Sequence, residues 1–550
     1  MSGTRAVEGC PARSASHKLA WSWRAIPCPP VIWPWHRYES RTVRRLLSAG
    51  SSKLEELKGK SLRGAFAKLC GQGLSFVLRL GFVAAIARLL EPADFGLVAM
   101  VTVVTSFFDL FSTAGLSAAT VQKADISDQY VSTLFWVNVA VGGILGVLCV
   151  ITAPFLVDFY QEPRLLPVTA ALAAGFLFNA AGVQHLALLQ RSLRYGALAV
   201  IETIAQLASI ATGLGMAFYG FGYWALVGAA LVQPATMTLL MWLATSWRPG
   251  KPGRLSDVRS MLRFGATITF NNLVVHLAYN FDKLMIGRYL GADALGIYGR
   301  GYQLINIPNT TLLSAIGGVA FSALSRLQGD PVRCRAYFLK GYTLVNSLTL
   351  PTTMFCAIFA DEIITVVLGH HWHAVTPIFR SLAPTILVFG IINPTGWFLQ
   401  STGLQGRSLN MAYAITALVC SAVIIGLPYG ANGVALAVSA AMTAWVVPHI
   451  FWCAKGTLLS PFDLFAAIWR PFLASIVATG AGFEAAFYLG PSSTPLLRLL
   501  VGGTVMGAVY ACLLLFVLGQ KKLYVDVLAA LRPASPDRIA DTSANLGASR

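Results

Sequence analysis

A chain of 550 residues in which 56% are apolar and 12% charged, with a mean hydropathy of +0.65, does not describe a soluble protein. The formal net charge of +18 sits in short loops and at the two ends, as the positive-inside rule asks of a polytopic membrane protein, so nucleic acid is not expected as a partner. Nine cysteines lie singly, several inside apolar runs, and no CxxC spacing is present; neither a disulfide framework, a zinc site nor any other cofactor is indicated.

Residues 1–52 are rich in Trp, Pro and Arg and hold no apolar run long enough to span, so they are expected to be a disordered or wrongly included N-terminal extension. From Lys53 onward the apolar runs are about 20–25 residues long, enough to cross a hydrocarbon core of ~30 Å as helices. No two-residue alternation is present, which excludes a barrel of strands. Helices are predicted at 64–87, 95–118, 132–157, 165–189, 197–219 and 222–245. After a polar connector at 246–263 they resume at 264–287, 295–323, 337–359, 376–399, 408–427 and 432–454, with two more at 471–489 and 499–518. The expected fold class is an all-α polytopic membrane protein of two pseudo-symmetric six-helix lobes, 53–245 and 264–455, with about two extra C-terminal transmembrane helices within 456–520 and a cytoplasmic tail at 521–550. Fourteen spans result, although twelve fit the loop charges equally.

The lobes are recognised as related because the stretch Leu262–Tyr298 repeats Leu62–Val98 at an offset of 200 residues. Leu62/Leu262, Arg63/Arg263, Ile86/Ile286, Arg88/Arg288, Leu90/Leu290 and Gly96/Gly296 coincide, and Leu97/Ile297 nearly so. Each copy enters on a basic residue, runs through an apolar helix, turns at Arg-x-Leu and a small acidic loop, and reopens at glycine. Such internal repeats place a pathway between the two halves. Alternate loops hold fourteen Lys and Arg residues on one side against four on the other, which puts the connector and both termini in the cytoplasm. The outer loops are short throughout, leaving no room for an external catalytic domain.

The segment Arg88-Leu89-Leu90-Glu91-Pro92-Ala93-Asp94-Phe95-Gly96-Leu97-Val98-Ala99-Met100 resembles the turn between the first two helices of lipopolysaccharide and exopolysaccharide flippases. These are of the colanic-acid-exporter type, within the multidrug/oligosaccharidyl-lipid/polysaccharide (MOP) superfamily. The likeness continues through Phe108-Asp109-Leu110-Phe111 and Gly115-Leu116. It returns at Asp282-Lys283 and Gly287-Arg288-Tyr289-Leu290-Gly291, and covers residues 58–520. The resemblance implies a secondary transporter in the bacterial inner membrane that flips undecaprenyl-diphosphate-linked oligosaccharide by alternating access, coupled to an ion as in an antiporter. The lipid-linked oligosaccharide and the bilayer are its implied partners, with a polysaccharide polymerase and a chain-length regulator as further candidates. Two other readings are a membrane-embedded polymerase or ligase, and the same fold exporting a peptidoglycan precursor or a small drug. No phosphate-binding loop for a nucleotide is present: Gly71-Gln72-Gly73 follows no strand and lies inside a span.

Charges within spans are costly, about 3 kcal/mol on insertion scales, so those that occur mark a wet cavity or a partner. Arg79, Lys283 and Arg300 are the candidate cations for a diphosphate, with Gln303, Asn306 and Asn309, spaced three apart on one helical face, as amides for sugar hydroxyls. Asp109 and Asp282 are the candidate ion-coupling acids. The competing accounts are that Arg79, Arg300 and Arg380 snorkel to an interface, that Asp282 merely pairs with a neighbouring base, and that the amides serve packing. Pro308 is expected to kink the amide-bearing helix. The run His370-His371-Trp372-His373 lacks carboxylate or thiol ligands nearby and is read as an interfacial aromatic-histidine cluster; no metal is expected.

Overall fold

The computed structural model describes residues 73–112, 120, 127–253, 259–490, 492–521 and 524, all within one compact unit. The expected N-terminal extension at 1–52 and the tail beyond 524 lie outside them. All fourteen apolar segments meet helix, and no strand occurs among the described residues. Hydrocarbon offers no partner to a free peptide group, so a spanning segment must satisfy its own N–H and C=O groups along a helix.

The first lobe comprises α1 (Gly73–Ala87), α2 (Pro92–Ser112), α3 (Asp128–Tyr160), α4 (Leu165–Arg191), α5 (Tyr195–Phe218) and α6 (Tyr223–Ala244). The second opens with one long run, Arg259–Arg326. Gly291, at φ 84°, breaks it into α7 (259–290) and α8 (292–326), a left-handed turn that costs glycine no Cβ clash. Next, α9 (Pro331–Ile358) bends by 80° into the short α10 (Ala360–Val367). α11 (Val375–Leu382) and α12 (Pro384–Ser401) are two pieces of one span, and α13 (Gln405–Gly426) and α14 (Gly430–Ala454) complete the lobe. The extra pair, α15 (Pro461–Tyr488) and α16 (Pro495–Cys512), packs on α9 and α10.

Among the described residues, nine helical stretches are long and apolar enough to cross a bilayer, or ten if α9 and α10 are one broken span; Gln405–Ala454 counts once although it holds two helices. Helix ends follow local chemistry. The Ser127 hydroxyl accepts from the Tyr130 N–H at 3.3 Å to start α3, and Ser460 and Asp463 form a reciprocal capping box at the start of α15.

The lobes touch where α2 and α8 begin. A Cβ on Gly96 would overlap the carbonyl oxygen of Ala292, and a Cβ on Gly296 would overlap that of Pro92 and lie 3.1 Å from Gly96 N. Positions 92 and 292 are themselves repeat mates, so the contact is reciprocal in the manner of an isologous two-fold interface. Backbone meets backbone here, and the repeated glycine is what permits it.

The connector is fastened to the first lobe at the opposite end of α3. Gly250 N–H donates to Ser132 Oγ at 2.9 Å, Gly253 N–H to Thr133 Oγ1 at 2.7 Å, and the Trp136 indole to Gly250 O at 2.9 Å. Arg248 donates to the Thr245 carbonyl at 2.9 Å.

Candidate cargo cavity between the lobes

A cavity of about 440 Å³ lies between α2 and the α7/α8 pair, just inside the glycine crossing. Phe95, Thr102 and Ser106 line it from α2, Leu226 from α6, and Asn280, Lys283, Arg300, Tyr302, Gln303 and Asn306 from α7 and α8. Four of the residues singled out by sequence, Lys283, Arg300, Gln303 and Asn306, therefore share one wall. The 3.6-residue period explains part of this: 299, 302, 303 and 306 occupy one face of α8.

Both cations are held by aromatic faces and amides. Lys283 Nζ stands 4.1 Å above the Tyr302 ring and donates to Tyr279 O at 3.1 Å and Asn280 Oδ1 at 3.2 Å. Arg300 lies 3.8 Å over the Phe95 ring, with a second bond to Gln303 Oε1. Cation–π contacts of this kind contribute ~0.5–2 kcal/mol and fix where each charge points.

Behind the wall, Asp282 is 5% exposed. It accepts from the Tyr298 hydroxyl at 2.7 Å and from the Lys283 backbone N–H at 2.8 Å, and its Oδ1 is 3.7 Å from Lys283 Nζ. The acid thus pairs with the neighbouring base, and Tyr298, stacked on Tyr302 at 6.3 Å, ties it to the aromatic platform beneath Lys283. Asn309 is also buried, and neither of its amide atoms meets a partner.

Arg79 and Asp109 are not brought to this wall. Arg79 is exposed on α1, a helix anchored to α5 by the Gln206 amide donating to Ser75 O at 3.0 Å. Asp109 is exposed on α2, one turn beyond Ser106. Arg380 ion-pairs with Asp361 at 3.0 Å and donates to Ala357 O, pinning the bend between α9 and α10.

The end of the cavity toward the short turns is shut. The Trp372 indole donates to Ala87 O at 2.7 Å and meets Phe95 edge-on at 5.3 Å, and Arg88 donates to Val366 O at 2.9 Å. The repeat-related positions carry a matching closure: a Cβ on Gly287 would lie 2.7 Å from the Tyr160 ring, and Arg288 sits 5.6 Å over Phe159. This corrects the reading of the His-rich run as an interfacial cluster. Trp372 is 2% exposed and wedged against α1 and α2, while His370, His371 and His373 remain exposed. Its apolar ring contributes more by leaving water at the inter-lobe seam than by sitting at a membrane surface. No group of three metal-ligating side chains occurs among the described residues.

Sequence reasoning passed over His276. Its Nε2 lies 3.3 Å from both Ser106 Oγ and the Asn280 amide nitrogen, on the same helical face as Lys283. The available signal was its spacing, four residues before Asn280 and seven before Lys283.

Comparison with known proteins places these features in a context. The profile of a polysaccharide biosynthesis protein family matches residues 85–377. The chain is similar to the lipopolysaccharide biosynthesis protein WzxC of Escherichia coli (strain K12), at 28% identity over 427 residues, 76% of this chain and 86% of that protein. Its fold is similar to a lipid II flippase, MurJ, in an inward closed conformation, with TM-score 0.66 and 12% identity, covering 81% of this chain and 98% of that one. It is also similar to an inward-facing multidrug resistance MATE transporter of the MOP superfamily, with TM-score 0.58 and 14% identity, covering 73% and 98%. At these identities the two structures speak to fold alone, and the fold is the two-lobed MOP type.

Proposed function

Because the chain belongs to the polysaccharide biosynthesis protein family, we propose that this multi-pass membrane protein flips a lipid-linked oligosaccharide, held by its diphosphate, from the cytoplasmic to the outer leaflet of the inner membrane. The observation that carries the reading is the convergence of Lys283 and Arg300 on one inter-lobe cavity whose far end is latched. A diphosphate offers oxygen atoms to a guanidinium fork and to an ammonium at once, and the low dielectric between helices strengthens both contacts. Gln303 and Asn306 supply donors and acceptors for the first sugars, and the chain-bearing lipid stays in the bilayer beside the lobes. Alternating access then consists of opening the glycine crossing and the Trp372 latch while the connector end closes. Of the two candidate acids, Asp282 is the one tied to a cargo-facing cation.

The test is loss of the gene followed by leaflet-resolved analysis of lipid-linked oligosaccharide. Accumulation on the cytoplasmic side is the expected outcome. Unpolymerised units building up on the outer side instead would identify a polymerase and sink the reading.

A further inference from the structure

We propose that His276 binds one proton together with each diphosphate, so that the imidazole becomes a third cation only when cargo is present; this rests on the flippase reading above. The hydrogen bonds around the ring fix its state in the empty cavity. Asn280 Oδ1 accepts from Lys283 Nζ at 3.2 Å, which leaves the Asn280 amide nitrogen to donate one hydrogen to the His276 carbonyl at 3.0 Å and to turn the other toward His276 Nε2, 3.3 Å away. A donor aimed at Nε2 calls for a lone pair there, which leaves the hydrogen of the neutral ring on Nδ1. Ser106 Oγ donates to the Val103 carbonyl at 3.1 Å and keeps its own lone pairs facing Nε2 at 3.3 Å. An acceptor for a protonated Nε2 is therefore already in place. When hydronium gives a proton to Nε2, its O–H bond breaks to leave water and a new N–H bond forms; the Asn280 contact to the ring becomes donor against donor and breaks, and Ser106 takes the new hydrogen bond. The freed Asn280 amide then turns to the cargo beside Lys283.

The charge balance gives the reason for uptake. The charged groups of the adjoining cavity wall are Lys283, on the same helix as the ring, and Arg300 on α8, with Asp282 buried behind that wall and Asp109 one turn beyond Ser106 on α2, outside the cavity lining. Tyr302 in the wall and Tyr298 behind it are phenols, neutral near pH 7, as is the Cys420 thiol of α13. Asp282 offsets one of the two cations, leaving the empty cavity with one net positive charge. A diphosphate diester brings two negative charges, so the loaded cavity carries one unmatched negative charge in a poorly solvated space, which is unfavourable. One proton on His276 restores neutrality. By reciprocity, cargo must raise the proton affinity of His276 by the same factor as the proton raises cargo affinity.

The experiment is calorimetry on the full-length protein in lipid nanodiscs with a dialkyl diphosphate diester, whose two charges do not titrate near neutrality. Binding measured in two buffers of different ionisation enthalpy gives the protons taken up. The expected result is uptake approaching one proton per probe in the wild type and near none in His276→Gln, with wild-type affinity rising up to about tenfold per pH unit of acidification across the imidazole range. If His276→Gln fails to assemble, Ser106→Ala removes the acceptor for the protonated ring and is expected to lower the proton count. Probe binding in the wild type without proton uptake, or with uptake unchanged in His276→Gln, overturns the proposal and leaves the flippase reading standing. No binding at all removes both.

Discussion

Placing a methyl group at the glycine crossing tests whether the contact between α2 and α8 is a gate. In Gly296→Ala the new Cβ falls 2.7 Å from the Pro92 carbonyl carbon, against 3.4 Å where ordinary van der Waals contact begins, and nearer still to the oxygen. Both partners are backbone, so no side-chain rotation relieves the clash. The helices must part by an ångström or more, and overpacking of this kind costs about 1–3 kcal/mol. If the shut end is one of two states, that cost shifts the population toward the open one by roughly 5- to 150-fold. The readout is labelling of Thr102→Cys, a cavity position, by a membrane-impermeant maleimide applied from outside, in a background lacking the native cysteines. Labelling is expected to rise severalfold in Gly296→Ala and equally in Gly96→Ala, whose Cβ meets Ala292 in the same way. Because both substitutions load one crossing, their double mutant is expected to be far from additive. Unchanged labelling in a folded protein, or opposite effects of the two glycines, would refute the reasoning.

Other substitutions separate latch, site and turn. Trp372→Phe keeps the ring but removes the donor to Ala87 O, leaving a buried acceptor unpaired at about 1–3 kcal/mol, and is expected to raise external labelling of Thr102→Cys; no change places the latch elsewhere. Lys283→Gln and Arg300→Gln are expected to weaken export at unchanged protein level, and more than Arg79→Ala, since Arg79 is exposed away from the cavity; equal loss in all three would move the pathway toward α1. In the turn between α3 and α4, the Glu162 carboxyl is held below its usual range by hydrogen bonds from Arg164. That contribution is present above the unfolded carboxyl pKa and lost as pH falls through the lower folded value. With half of Arg164 exposed it amounts to less than about 1 kcal/mol, so Glu162→Gln is expected to flatten a small acid-side fall in melting temperature.

Helices and their order were legible because a bilayer leaves a spanning segment little choice, and a 20-residue apolar run states its structure locally. Which face of a helix a charge occupies was not. Each residue turns the face by about 100°, so an uncertainty of a few residues in where a helix starts and tilts cannot tell Arg79, exposed on α1, from Lys283, facing the cavity. Trp372 stands among three histidines, and local composition made it a surface residue; its burial depends on α1 and Phe95, nearly 300 residues away in the chain. His276 was hidden because it is one polar residue among several on α7, and its meaning comes from Ser106 across the lobe boundary. The connector read only as a polar, basic stretch between the lobes, yet its two glycines, Gly250 and Gly253, expose the backbone N–H groups that Ser132 and Thr133 accept from.

The thin identity between the repeats is itself informative once mapped. Five of its seven positions, Ile86/Ile286, Arg88/Arg288, Leu90/Leu290, Gly96/Gly296 and Leu97/Ile297, fall at the crossing and its latch, where reciprocal backbone contact tolerates only a narrow set of residues on both sides. The site residues show the opposite pattern. The repeat mates of Lys283, Asp282, Arg300 and His276 are Val83, Phe82, Met100 and Phe76, all apolar. Val83 and Met100 are buried in the packed core, so no second set of charges faces the cavity from the first lobe at those positions. Duplication thus supplied a symmetric closure that can open and shut about a two-fold axis, and divergence on one lobe supplied the charges. A cavity lined equally from both lobes would hold a diphosphate on the axis, and opening would pull its ligands apart. On the proposed flippase reading, cations, acid and imidazole all carried on α7 and α8 would let the head group travel with one lobe while the other moves past it.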